Sequence, residues 1–131
     1  MKCREDAFLL SVTRSKGALR LTARLGFFIT MAAVALMSLL PQQDIPRVDV
    51  SDKAEHFAAY AILAVLGAFG FLGRRTWLWL LLFLPTFGAV MELLQAFSPG
   101  RSPDIADAAT NMVGVMVGLL VAAAARRSVR P

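Results

Sequence analysis

The sequence predicts an all-α integral membrane protein, a bundle of four transmembrane helices with both termini in the cytoplasm. Three observations predict it. The 131 residues are 57% apolar, with a mean hydropathy of +0.62 despite 14 Lys and Arg, which is too much apolar surface for one small soluble core. The apolar residues fall into four runs, each near the roughly 20 residues that cross about 30 Å of hydrocarbon as a helix. The basic residues stand outside those runs and are unequally divided between their two ends.

The four runs are Leu21 to Leu40, Ala54 to Gly73, Trp77 to Phe97 and Ile105 to Ala125. Backbone polar groups in lipid must bond internally, so only helices or a closed barrel can cross, and these runs lack the alternation of a barrel strand. Before the first run, residues 1–20 form a basic arm that mixes Phe8, Leu9 and Leu10 with Arg14, Lys16 and Arg20. It is expected as a short helix on the membrane surface or as a disordered tail. Arg20 and Arg24 ahead of an apolar stretch resemble a secretory signal, but no small-x-small cleavage pattern appears from Ser38 to Gln42, so the first run is read as an uncleaved span. Residues 21–125 are then the membrane domain and 126–131 a basic tail.

Orientation follows from the connections. The basic residues from Lys2 to Arg24, the pair Arg74 and Arg75, and Arg126, Arg127 and Arg130 all fall on one side; only Arg47, Lys53 and Arg101 fall on the other. The positive-inside rule makes the richer side cytoplasmic, with Trp77 and Trp79 at that interface. Topology and anionic lipid account for the net charge of +5, so no nucleic-acid partner is expected. The single cysteine, Cys3, has no internal disulfide partner.

All the unusual polar residues then lie on the outer side. Asp52, His56 and Tyr60 recur every four residues; Glu92 and Gln95 are three apart; Asp104, Asp107 and Asn111 follow spacings of three and four, so each set makes one stripe on its helix. Glu92 and Asn111 lie about 7 and 9 Å inside their helix ends, at about 1.5 Å per residue. Ionisable groups are costly beside lipid, so the stripes should turn inward and meet, with Lys53 and Arg101, in a shallow outward pocket. Structural roles compete at several positions. Asp52 with Glu55 has capping-box spacing; Ser102, Pro103 and Asp104 offer a cap, a first-turn proline and a dipole-facing acid; Lys53 and Arg101 can snorkel; His56 and Tyr60 suit an interface; and the deeper polar groups can simply tie helices together. Gly114 and Gly118 make a GxxxG face, Gly67, Gly70 and Gly73 thin the second span, Pro85 frees the carbonyl of Leu81, and Pro99-Gly100 makes a tight outer turn.

The runs Asp52-Lys53-x-x-His56-Phe57-x-x-Tyr60, Glu92-x-x-Gln95, Pro99-Gly100-Arg101 and Asp104-x-x-Asp107-x-x-x-Asn111-x-x-Gly114 resemble the VanZ-like family of small bacterial membrane proteins, over about residues 25–125. The resemblance implies a multi-pass protein of the bacterial cytoplasmic membrane acting in the cell envelope. The family's founding member is linked to lowered susceptibility to teicoplanin, an antibiotic that acts outside that membrane.

Three functional readings stand. The first is a binding protein for a lipid head group, cell-wall precursor or lipophilic antibiotic, in which Lys53 and Arg101 hold an anion, His56 and Tyr60 add hydrogen bonds, Glu92, Asp107 and Asn111 shape the pocket, and Asp52, Gln95 and Asp104 line it. The second is an intramembrane hydrolase or transferase with His56, Glu92 and Asp107 as acid and base, or holding a divalent metal, the one cofactor the residues suggest. No HExxH, GxSxG or Cys-His pattern accompanies that reading. The third is a structural subunit of an envelope assembly. Membrane lipids are partners in all three; a homo-oligomer is open, and a continuous polar path would require one.

Overall fold

The computed structural model describes residues 2–44, 51–71 and 73–128, with side chains from residue 15 onward except Gln42. Four α-helices make up the described residues, α1 (Lys2–Leu39), α2 (Asp52–Gly70), α3 (Thr76–Gln95) and α4 (Ile105–Ser128), with a 3-10 turn at Gln42–Asp44. Arg47 and Arg130, which enter the charge comparison, and the side chains of Phe8, Leu9, Leu10 and Arg14 lie outside what is described.

The arm is neither a separate surface helix nor a tail in this structure. It continues into the first span as one helix from Lys2, because no proline intervenes before Pro41 and the one glycine in the arm, Gly17, costs only about 1 kcal/mol in a helix interior. Among the described residues, three helical segments are long and apolar enough to cross a membrane: Ser15–Leu39, Thr76–Gln95 and Ile105–Ser128. The second helix is not among them, since its first two turns carry Asp52, Lys53, Glu55 and His56. It ends at Gly70 rather than Gly73, which instead takes φ +139° in the turn to α3.

Consecutive helices run in opposite directions, and α2 is the most enclosed of them, packed chiefly on α4 and then on α1. The α2–α4 approach is close because Gly114 and Gly118 lie against the backbone of Phe57 and Ala61; a Cβ on Gly114 would stand 2.5 Å from the Phe57 carbonyl oxygen. Around this seam Tyr60, Leu63, Ala64 and Ala68 of α2 meet Phe27, Leu80, Leu84, Val115 and Leu119 in the core. The outward faces stay apolar, with Ile29, Leu82, Leu93 and Leu120 all well exposed, as expected of helices whose solvent is hydrocarbon.

The two ends differ in kind. At the basic end, arginines satisfy the last carbonyls of α2: Arg24 Nε donates to the Gly70 oxygen at 2.8 Å, and Arg126 donates to the Ala68 oxygen while lying over the rings of Phe69 and Trp77. At the other end, Ser98 to Arg101 form a type II turn: Pro99 holds the first corner, Gly100 takes φ +78°, and the Arg101 amide donates to the Ser98 carbonyl at 3.2 Å. Ser98 Oγ then donates to the Leu39 carbonyl at 3.0 Å, closing the end of α1 against the turn.

Candidate functional site

At this second end the helix starts are set by caps that differ from those the spacing suggests. Ser51, not Asp52, caps α2, its side chain accepting the Ala54 amide at 3.3 Å; Asp52 and Glu55 fall in the first turn, favoured there by the helix dipole. Asp104, not Ser102, caps α4: its Oδ1 accepts the Ala106 amide at 2.8 Å, and its carbonyl accepts the amides of Asp107 and Ala108. Serine and aspartate cap almost equally well, so neighbouring Ser and Asp leave the register open until the helix is packed.

From these starts three helices direct polar groups at one another. Lys53 Nζ of α2 donates to Asp104 Oδ2 at 3.0 Å and to Asp107 Oδ1 at 3.1 Å. His56, one turn deeper, holds the Asn111 Oδ1 through Nδ1 at 3.1 Å, and its Nε2 stands 3.9 Å from Asp107 Oδ2. From α3, Glu92 Oε1 accepts the Asp104 backbone amide at 2.6 Å, fastening α3 to the start of α4. The Ala106 amide and Lys53 together hold the Asp104 carboxyl below its ordinary value.

Burial sorts the group. Asn111 and Tyr60 are 1% exposed, Gln95 4% and Glu92 5%, whereas Lys53, Asp104 and Asp52 are open to the surface. Among the described residues, two enclosed side-chain atoms have no hydrogen-bond partner, Glu92 Oε2 and Arg101 Nε. An orphaned polar group of this kind costs about 1–3 kcal/mol, more if charged, and Arg101 stands where the cavities begin. Lys53, expected as an anion holder, is already engaged by two carboxylates, whereas Arg101 has an enclosed Nε without a partner.

Two cavities meet here. One, about 290 Å³, is polar and takes in Asp52, Glu55, His56, Gln95, Arg101 and Asp107. The other, about 350 Å³, is an apolar groove between α1 and α2, walled by Ala33, Val34, Met37, Ala59 and Ile62. Glu55, His56, Gln95 and Arg101 line both. Lys53, Asp104, Asp107 and Glu92 are therefore joined by hydrogen bonds, His56 and Asn111 form a second bonded pair beside them, Gln95 and Arg101 line the recess, Asp52 is at its rim, and Tyr60 lies beneath. Sequence reasoning missed Gly88, which makes the floor beneath the polar side chains, outside both cavities: a Cβ there would stand 2.8 Å from Asn111 Nδ2 and 3.0 Å from Tyr60 Oη. The apolar groove was missed as well, since a void between two helices has no signature in either one.

The fold and the site define a small helical membrane protein with a polar recess at one end of its bundle. Residues 8–126 match the family model described as VanZ/LLP1, and the chain belongs to that family. Compared with curated proteins and with solved structures, it finds no match in either.

Proposed function

We propose that this VanZ-family chain crosses the bacterial cytoplasmic membrane four times, with both termini inside, and binds an amphiphile of the cell envelope at its outer end. The amphiphile's anionic or polar head occupies the recess beside Arg101, and its apolar part lies in the groove between α1 and α2. The observation that carries this reading is the continuity of the two cavities: Glu55, His56, Gln95 and Arg101 face a polar space on one side and an apolar one on the other. A molecule with a charged head and a hydrocarbon tail matches that change of lining, and burial in the groove rewards the tail at about 25 cal/mol per Å².

Supporting the orientation, Arg24, Arg74, Arg75, Arg126 and Arg127 gather at the opposite end. Supporting α2 as the fourth span, its polar turns lie at one end only and the rest of it, from Tyr60 to Gly70, is largely enclosed by its neighbours. Lipid head groups, cell-wall precursors and glycopeptide-type antibiotics all fit the description, and the family's link to teicoplanin resistance concerns the last of these. A structural reading draws on the Glu92–Asp104 bond, which ties α3 to α4.

Native mass spectrometry of protein extracted with its lipids separates the two. Wild type is expected to retain one anionic amphiphile per chain, and Arg101→Ala to retain at least tenfold less, about 1.4 kcal/mol or more, while staying folded. Equal retention, or none by either protein, would leave only the structural reading.

A further inference from the structure

We propose that His56, Glu92 and Asp107 are the ligands of a divalent transition-metal ion, Zn²⁺ by preference, bound where α2, α3 and α4 converge. One ligand atom from each residue lies within 4.8 Å of the other two. More telling is how each residue divides its atoms. His56 Nδ1 faces an amide oxygen, Asn111 Oδ1, so Nδ1 carries the proton and Nε2 presents a lone pair. Asp107 gives Oδ1 to Lys53 and leaves Oδ2 toward that lone pair, at 3.9 Å. Glu92 gives Oε1 to the Asp104 amide and leaves Oε2, enclosed, without a partner on a side chain only 5% exposed.

Each ligand is thus held by an outside partner and keeps one acceptor bare. Acceptors gathered this way repel one another unless a cation stands between them. A proton shared by His56 and Asp107 would satisfy two and leave Glu92 Oε2 orphaned, whereas a metal ion satisfies all three. Asn111, Lys53 and the Asp104 amide act as the supporting groups that orient metal ligands and fix the histidine tautomer.

One imidazole nitrogen with two carboxylate oxygens is a donor set that zinc accepts, with manganese as the harder alternative. Ligand atoms about 2.0–2.2 Å from one ion stand roughly 3–3.5 Å apart, so side-chain rotation of about 1 Å closes the present spacing. Three protein ligands leave a coordination position for water or an anionic oxygen, the arrangement of a catalytic rather than a structural site. His56 and Asp107 also line the polar recess, so that position would be reached from it.

The test uses the full-length protein in detergent, stripped with chelator and titrated with Zn²⁺ alone, so it does not depend on any amphiphile. One Zn²⁺ per chain is expected, with affinity at least tenfold lower in His56→Gln, Asp107→Asn and Glu92→Gln, and lower also in Asn111→Ala through its hold on His56. Co²⁺ in the wild-type protein should show the visible absorption of a nitrogen- and oxygen-ligated ion, a readout that needs no variant to fold. Absence of stoichiometric Zn²⁺ binding by wild type, or binding unchanged in the folded His56→Gln and Asp107→Asn proteins, would overturn the proposal.

Discussion

Gly118→Val is expected to destabilise the bundle by about 3 kcal/mol or more and to lower the thermal midpoint in detergent accordingly. A Cβ at this position falls on the Ala61 carbonyl oxygen and stands 2.9 Å from the Ala64 Cβ. Backbone cannot turn aside as a side chain can, so α4 must move away from α2 along the seam that also contains Gly114, Leu63 and Val115. Dispersion across a tightly packed contact falls off within about 1 Å of separation, and in a membrane it is a main source of helix association. The polar network begins at Asn111, about two turns along the same helix, so the His56–Asn111 bond should weaken with it. Thermal unfolding of wild type and variant in one detergent checks this; a midpoint shift within about 1 °C would contradict the packing described.

Gly88→Val should have the second largest effect, and a more local one. The new side chain enters the floor of the site, displacing the Asn111 amide and the Tyr60 hydroxyl, both on side chains 1% exposed. Overpacking of about 1–3 kcal/mol adds to a similar cost for polar groups left unpaired. Asn111 would no longer hold His56, so retention of amphiphile and affinity for Zn²⁺ should fall together, although Gly88 borders neither cavity. Thermal unfolding together with bound-ligand analysis checks it, and unchanged binding would show that the floor does not govern the recess.

How far these features were legible from sequence depends on the physics behind each. α1, α3 and α4 announce themselves by hydropathy, and the fourfold spacing of Asp52, His56 and Tyr60 places those residues on one face whatever the partner. Pro99-Gly100 sets its turn locally, and Gln95 and Arg101, on either side of it, line one recess. The GxxxG face met α2 as its small residues suggest.

Other features depend on register and packing. Ser51 and Asp52, or Ser102 and Asp104, are competing caps whose outcome a helix settles only when its far end is docked. Lys53 reads as a free cation until Asp104 and Asp107 are brought against it from a helix some fifty residues away, as the separations of 51 and 54 positions show. Gly88 is one glycine among several in an apolar helix, and only the approach of Tyr60 and Asn111 gives it a role. The groove between α1 and α2 is a space, and residues such as Ala33 and Ala59 contribute to it by what they lack.

The claim on which the functional account turns is that the recess and the groove hold two parts of one molecule. A photoreactive side chain at Ala59, inside the groove, tests it directly in native membranes, with the adduct identified by mass. The account predicts one predominant adduct carrying an anionic head and an apolar chain, formed at least tenfold less when Arg101 is replaced by alanine. Adducts of bulk membrane lipid in its ordinary proportions, unchanged by Arg101→Ala, would contradict it.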